Sequence, residues 1–320
     1  VVNRRPPASF AELFAAIVDN VATVLQGKRE VIELALLCMV AEGHLLLEDV
    51  PGVGKTSLAK ALAGSLDCRW TRIQFTPDLL PSDVVGVTIF NRGDSSFEFR
   101  PGAVFANLVL GDEINRASPK TQSALLEAME ERQVTVDGVT RTLEAPFMVM
   151  ATQNPVEHEG TYPLPESQLD RFLMRLSIGY PNRDAEVEML TRHGASDPLE
   201  ELVPVATIKD VVAMTMAARQ VHVAPALQGY LVDLTAASRR HPSLSIGLSP
   251  RATLALQRAS RARAAAAGRD YVTPDDVKAL AIPVLAHRVV PTPEAVLQGT
   301  DPRRILDDVL RHVAVPTGRG

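Results

Sequence analysis

Two short stretches of the chain carry residue types suited to phosphate chemistry. The first, Asp49-Val50-Pro51-Gly52-Val53-Gly54-Lys55-Thr56-Ser57, follows an apolar run, His44–Glu48, and leads into a segment of helical spacing, Thr56–Ser65. A Gly-rich turn between a strand and a helix presents consecutive backbone N–H groups, and the helix N-terminus adds positive potential. Both favour a phosphate. Pro51, Gly52, Val53, Gly54 and Ser57 belong to the predicted cradle, Lys55 would reach the β- and γ-phosphates of ATP, and the Thr56 hydroxyl would ligate Mg²⁺. The usual pattern opens on Gly; Asp49 stands in that place here, while Gly52 and Gly54 still permit the tight turn.

The second stretch, Asn107–Glu113, is an apolar run ending in two carboxylates. Asp112 would hold Mg²⁺ through its water shell, and Glu113 would polarise the attacking water. Adjacent carboxylates can simply start a loop. Their place at a strand end, after a phosphate loop, favours a hydrolytic pair, because ligands bind at the carboxyl ends of parallel strands. A third apolar run, Phe147–Ala151, leads to Asn154. An Asn at a strand tip can orient water or a γ-phosphate, although alone it would read as a turn residue before Pro155.

The elements that must hold these groups can be read from apolar spacing. Phe10, Leu13, Phe14, Ile17, Val18 and Val21 predict a helix over Ser9–Val24, and Arg29–Ala41 predicts a second. Strand-length runs at His44–Glu48, Trp70–Thr76, Asn107–Leu110, Phe147–Ala151 and Phe172–Ile178 alternate with helices such as Pro119–Glu131, which predicts a five-stranded parallel sheet covered on both faces. Two hairpins interrupt that alternation. Val85–Asn91 and Phe97–Arg100 flank a Gly-Asp-Ser turn, and Val134–Val136 and Val139–Leu143 flank Asp137-Gly138, a strong two-residue turn signal. Beyond residue 182 the pattern becomes helical, with segments at Ala185–His193, Ile208–Arg219, Pro225–Arg239, Pro250–Ala267 and Pro274–His287. Ser249-Pro250 and Thr273-Pro274 each place an N-cap before a first-turn Pro. The expected organisation is an α/β nucleotide-binding domain over 1–182, a small helical domain over 183–290, and a tail, 291–320, of no assigned role.

Composition narrows the function classes. The chain has 320 residues, which suggests about two domains at ~150 residues each. It is 46% hydrophobic and 22% charged, enough for a full core and a soluble surface. Aromatics make up only 4%, which counts against base-stacking platforms. Residues 1–200 carry 18 basic against 28 acidic side chains and residues 201–320 carry 15 against 10, an imbalance that argues against wholesale phosphate-backbone binding. Cys38 and Cys68 form no CxxC pair, so two reduced thiols are expected. The longest apolar run, Val31–Val40, is too short for a membrane span, and VVNRRPPASF lacks the apolar segment of a signal peptide. The expected location is cytoplasmic.

Together these parts resemble the AAA+ ATPases, and more narrowly the MoxR family. The matching segments are LLLEDVPGVGKT (45–56), GDEINRASPKTQSALLEAMEE (111–131), ATQNP (151–155) and EGTYPLPESQLDRF (159–172). Asp49 in place of the first Gly is usual in that family. The resemblance implies an AAA+ P-loop NTPase core with inserted β-hairpins and a small α-helical lid, assembled as a hexameric ring with ATP and Mg²⁺ held between subunits. Lys55, Thr56, Asp112 and Glu113 match the Walker A and Walker B motifs, and Asn154 matches sensor 1. Arg171 matches the arginine finger offered to a neighbour's γ-phosphate, the alternative being a surface ion pair with Asp170 or Glu166. Arg251 matches sensor 2, acting within its own subunit or across to the next. Lys28 lies where the family contacts adenine, and the hairpins match insertions that point toward a ring pore.

The implied function is a molecular chaperone that uses ATP hydrolysis to remodel or activate a client protein, with a separate partner carrying a von Willebrand factor A domain. A metal-chelatase motor subunit, a nucleic-acid motor and a nucleotide-gated adaptor are the competing classes.

Overall fold

Alternate residues of the central strands belong to two different cores. In the computed structural model, which describes residues 9–93, 95–154, 161–184, 186–187 and 198–316, the strands follow the chain in order. First come β1 (Leu45–Glu48) and β2 (Trp70–Gln74); β3 (Gly86–Asn91) and β4 (Ser96–Pro101) pair as a hairpin; β5 (Leu108–Asp112) returns to the sheet. A second hairpin, β6 (Gln133–Val136) with β7 (Val139–Thr142), precedes β8 (Met148–Gln153) and β9 (Met174–Leu176). The main sheet is parallel, in the order β2-β5-β8-β1-β9.

Leu45, Leu47, Leu108, Leu110, Met148 and Met150 face one core. Leu46, Val109, Val149 and Ala151, the residues between them, face the other. This two-sided burial explains why the strands read as unbroken apolar runs. On the first face lie α1 (Phe10–Ala22), α2 (Arg29–Val40) and α3 (Lys55–Ser65). The second face is covered by α4 (Pro81–Val85) and α5 (Pro119–Glu131), which contribute Val84, Leu125, Leu126 and Met129. A short turn of helix, α6 (Glu166–Leu169), precedes β9.

Both hairpins form as expected. Asp137 and Gly138 have φ of 52° and 74°, the two left-handed conformations that a two-residue turn of this hand requires. The hairpins also touch each other: the Arg141 guanidinium on β7 lies 3.7 Å from the centre of the Phe99 ring on β4. The tip of the first hairpin carries a T-shaped pair, Phe90 and Phe97, whose side chains are largely exposed.

The lid helices are Ile208–Gln220, Pro225–Arg239, Pro250–Ala266 and Pro274–Leu285. Ser249 accepts a hydrogen bond from the Ala252 N–H, and Thr273 forms a full capping box with Asp276, as the Ser-Pro and Thr-Pro signals predict. Most of the predicted helix Ala185–His193 falls outside the described residues. The segment after residue 290, for which the sequence offers no role, folds onto the lid. Val290–Pro291 pairs with Leu244–Ile246, and helix Pro302–His312 buries Ile305, Leu306 and Val309 against Pro274–Leu285 and Pro225–Arg239.

Candidate functional site

A cavity of about 400 Å³ opens at the carboxyl ends of β1, β2, β5 and β8. From the loop after β1 it is lined by Pro51, Gly52, Gly54, Lys55, Thr56 and Ser57. Gly52 and Gly54 have φ of 85° and 97°, backbone that side-chain-bearing residues rarely adopt, and Gly54 caps α3. Val53 is the exception among the cradle residues, because it is buried in the core beneath the loop. The Lys55 ammonium donates to the Asp49 carbonyl at 2.8 Å.

Asp49 explains why the loop does not need its usual first Gly. Its carboxylate is buried, and Oδ2 accepts from the Ile178 N–H at 2.6 Å, the Gly179 N–H at 2.8 Å and the Ser177 hydroxyl at 3.0 Å. A glycine there would leave three donors without that acceptor. The side chain therefore fastens the phosphate loop to the segment leaving β9. Lys28, the residue just before α2, fastens the same segment, donating from Nζ to the Tyr180 carbonyl at 2.7 Å. It does not line the cavity.

From the neighbouring strands the cavity receives Asp112, Glu113 and Asn154, together with Arg72 and Gln74, which the sequence reading did not single out. Asp112 Oδ1 accepts from the Thr152 hydroxyl at 2.6 Å, and Oδ2 accepts from Arg72 at 2.6 Å. Glu113 has φ 56° and ψ 51°, a left-handed conformation that costs a non-Gly residue about 1 kcal/mol. Its N–H is held by Thr152 Oγ1 at 2.9 Å, and its carboxylate accepts from Gln74 Nε2 at 3.0 Å and from Arg116 at 3.2 Å. Thr152 thus holds the Asp112 carboxylate and the Glu113 backbone, while Arg72, Gln74 and Arg116 aim the two carboxylates. Thr56 and Asp112 offer the hard oxygen donors that Mg²⁺ prefers, and Asp112 already pairs with a cationic group. Among the described residues no cluster of three or more His, Cys, Asp or Glu forms an all-protein metal cage.

Arg171 and Arg251 lie elsewhere. Neither lines the phosphate-loop cavity; both line a second one of about 160 Å³, between α5, the end of α6 and lid helix Pro250–Ala266. Arg171 pairs with Glu130 at 3.1 Å rather than with Asp170 or Glu166, and Arg251 pairs with the other oxygen of Glu130. Asp170 is taken by Arg288 and by the Ser249 hydroxyl. Burial pulls Arg288 down to about 10, with Asp170 opposing that shift. Of the acidic stretch before Arg171, Glu157 and Glu159 fall outside the described residues.

Comparison with known proteins matches this architecture. Residues 44–174 match the ATPase family associated with various cellular activities (AAA), and residues 236–309 match the AAA lid domain. The chain is 41% identical to Chaperone MoxR1 of Mycobacterium tuberculosis, over 93% of this chain and 81% of that protein. The chain belongs to the MoxR family of AAA+ ATPases. It is also 50% identical to uncharacterized protein YeaC of Bacillus subtilis, over 96% of each chain. A crystal structure from Cytophaga hutchinsonii superposes with a TM-score of 0.90 at 38% identity, again over 96% of each chain.

Within the MoxR frame, the structure groups the Walker A and Walker B positions with Asn154 and separates them from both arginines. Lys28 is a neighbour of the loop rather than part of its lining. Thr152 carried a usable signal, since it is a hydroxyl residue near the end of β8, two residues before Asn154. Arg72 and Gln74 could not be found that way, because their relevance depends on β2 lying beside β5, with Gln74 opposite Asp112.

Proposed function

We propose that the protein is a Mg²⁺-dependent ATP hydrolase that works as a homo-oligomeric, hexameric ring and remodels or activates a client protein. The observation that carries this reading is the separation of the two arginines from the phosphate-loop cavity. A γ-phosphate bound at Lys55 meets Glu113 and Asn154 in the same subunit, while Arg171 and Arg251 line a separate cavity. Two guanidiniums suited to phosphate oxygens then serve the nucleotide of an adjacent copy. On this reading Arg251 acts across the interface, together with Arg171.

Thr56 and Asp112 would hold Mg²⁺, which supplies charge neutralisation on the β- and γ-phosphates when bound. Glu113 orients the attacking water and accepts its proton, Asn154 hydrogen-bonds the water or the γ-phosphate, and Lys55 offsets charge on the transferred group. Lys28 acts on the adenine side by fixing the backbone at Gly179–Tyr180. The similarity to a mycobacterial protein named as a chaperone supports a protein client. The paired hairpins with their exposed Phe90 and Phe97 are the surface suited to one, and a separate von Willebrand factor A partner and a cytoplasmic setting complete the reading. Among the described residues no helix is long and apolar enough to cross a membrane.

The test is ATP turnover per subunit against protein concentration, read beside solution mass. Turnover that rises as rings form, and is lost in Arg171→Ala without loss of nucleotide binding, is expected. Turnover independent of concentration in a monomeric protein would overturn the ring reading.

A further inference from the structure

Glu130 stands at the next-to-last position of α5, and no motif assigns it a part. Its carboxylate is divided between two elements: Oε2 takes Nε of Arg171, from the core, and Oε1 takes a terminal nitrogen of Arg251, from the lid. We propose that Glu130 is a positioning residue that gathers these two arginines into one phosphate-facing pair before a neighbouring subunit's nucleotide arrives. This rests on the reading that Arg171 and Arg251 act across a subunit interface.

Three features carry it. Two guanidiniums brought close together repel, and a carboxylate between them offsets that repulsion. Each arginine spends a single nitrogen on Glu130, and the remaining donors of the planar fork stay available for phosphate oxygens. The other carboxylates lining this cavity are engaged elsewhere, Asp170 with Arg288 and Ser249, and Glu42 with Arg219.

The base of Glu130 is also fixed. The buried His44 ring accepts the Val149 N–H at Nδ1, which leaves Nε2 to donate to the carbonyl of Met129, one residue before Glu130. Arg132, in a left-handed conformation just past α5, donates to the Glu42 carbonyl at 2.6 Å. The carboxylate thus sits on a held helix end. Glu130 and Arg251 are themselves about one-third and one-half exposed. A pair so placed is weak by itself, so it orients the arginines without locking them away from an incoming phosphate.

The experiment compares kcat, KM, fluorescent-nucleotide affinity and melting temperature for wild type, Glu130→Gln, Arg171→Ala and the double variant, all as full-length assembled protein. Glu130→Gln is expected to lower kcat about tenfold, as misplacement of a charged group does, with KM, nucleotide affinity and melting temperature near wild type. Arg171→Ala should cost much less in the Glu130→Gln background than in wild type. Wild-type kcat in Glu130→Gln beside an inactive Arg171→Ala would overturn this inference and leave the interface reading standing. Normal turnover in Arg171→Ala would overturn the interface reading itself. Effects that simply multiply in the double variant would show that Glu130 acts independently of Arg171, which also overturns it. Should Glu130→Gln not fold, Glu130→Asp, which withdraws the carboxylate by one methylene, carries the same test.

Discussion

The phosphate-loop cavity and the arginine cavity are built in opposite ways. The first is assembled at the ends of four strands of one parallel sheet, so its groups, although drawn from segments between residues 51 and 154, are held by a single rigid frame. The second is assembled from three distant places, the end of α5, the turn after α6 and the start of a lid helix, joined by one carboxylate. Strand ends suit chemistry that needs fixed atoms. A site spanning core and lid suits groups whose position should depend on how the lid and a neighbour are arranged.

The strongest way to break this contrast is to disable each site separately. Glu113→Gln should lower turnover by about 10²- to 10⁴-fold while retaining ATP, because only the general base is removed. Mixing Glu113→Gln subunits with Arg171→Ala subunits should then recover measurable turnover, since some interfaces pair an intact base with an intact arginine. No recovery in rings shown by mass to be mixed would place both groups in one subunit's site.

A smaller effect sharpens the description of the first cavity. Asp49→Gly restores the usual opening residue of the phosphate loop, yet it removes the acceptor for Ser177, Ile178 and Gly179. Leaving buried donors unpaired costs about 1–3 kcal/mol each in the worst case. Nucleotide affinity should fall about tenfold, with Asp49→Asn losing less, as isothermal titration with ATP analogues would show. Unchanged affinity in Asp49→Gly would mean that the loop holds its shape without the clamp.

The mildest prediction concerns acid. Burial pushes His44 down to about 3, against an ordinary value of about 6.5 in the unfolded chain. Between those values the unfolded state binds more protons, so stability is complete above pH 6.5 and falls as pH drops toward 3. At pH 5.5 this one group should cost about 1.4 kcal/mol relative to pH 7.5. Denaturant titrations of wild type and His44→Gln at the two pH values would show it: the variant should have the shallower dependence. Because His44 holds the Met129 carbonyl, this acid dependence bears on the floor of the arginine cavity.

The two sites were not equally legible. Glycines at the loop, carboxylates at a strand end and Asp137-Gly138 in a turn are local signals, and the structure follows them. Glu130 was hidden because on α5 it looks like an ordinary surface carboxylate; its role appears only once Arg171 and Arg251 are brought to it. Arg72 was hidden by strand order, and Asp49 read as a tolerated departure rather than as a clamp. The packing of Pro302–His312 was missed because its apolar stripe, Ile305, Leu306 and Val309, occupies few positions in a charged segment.

The contact between Arg141 and Phe99 gives the two hairpins a mechanical relation. A cation over an aromatic ring contributes about 1 kcal/mol at such a site, whereas β3 and β4 are zipped through six paired positions. The link between the hairpins is thus weaker than the β3–β4 ladder that carries the Phe97 tip. One cation–ring contact therefore couples two arms that are each held internally by a full strand ladder.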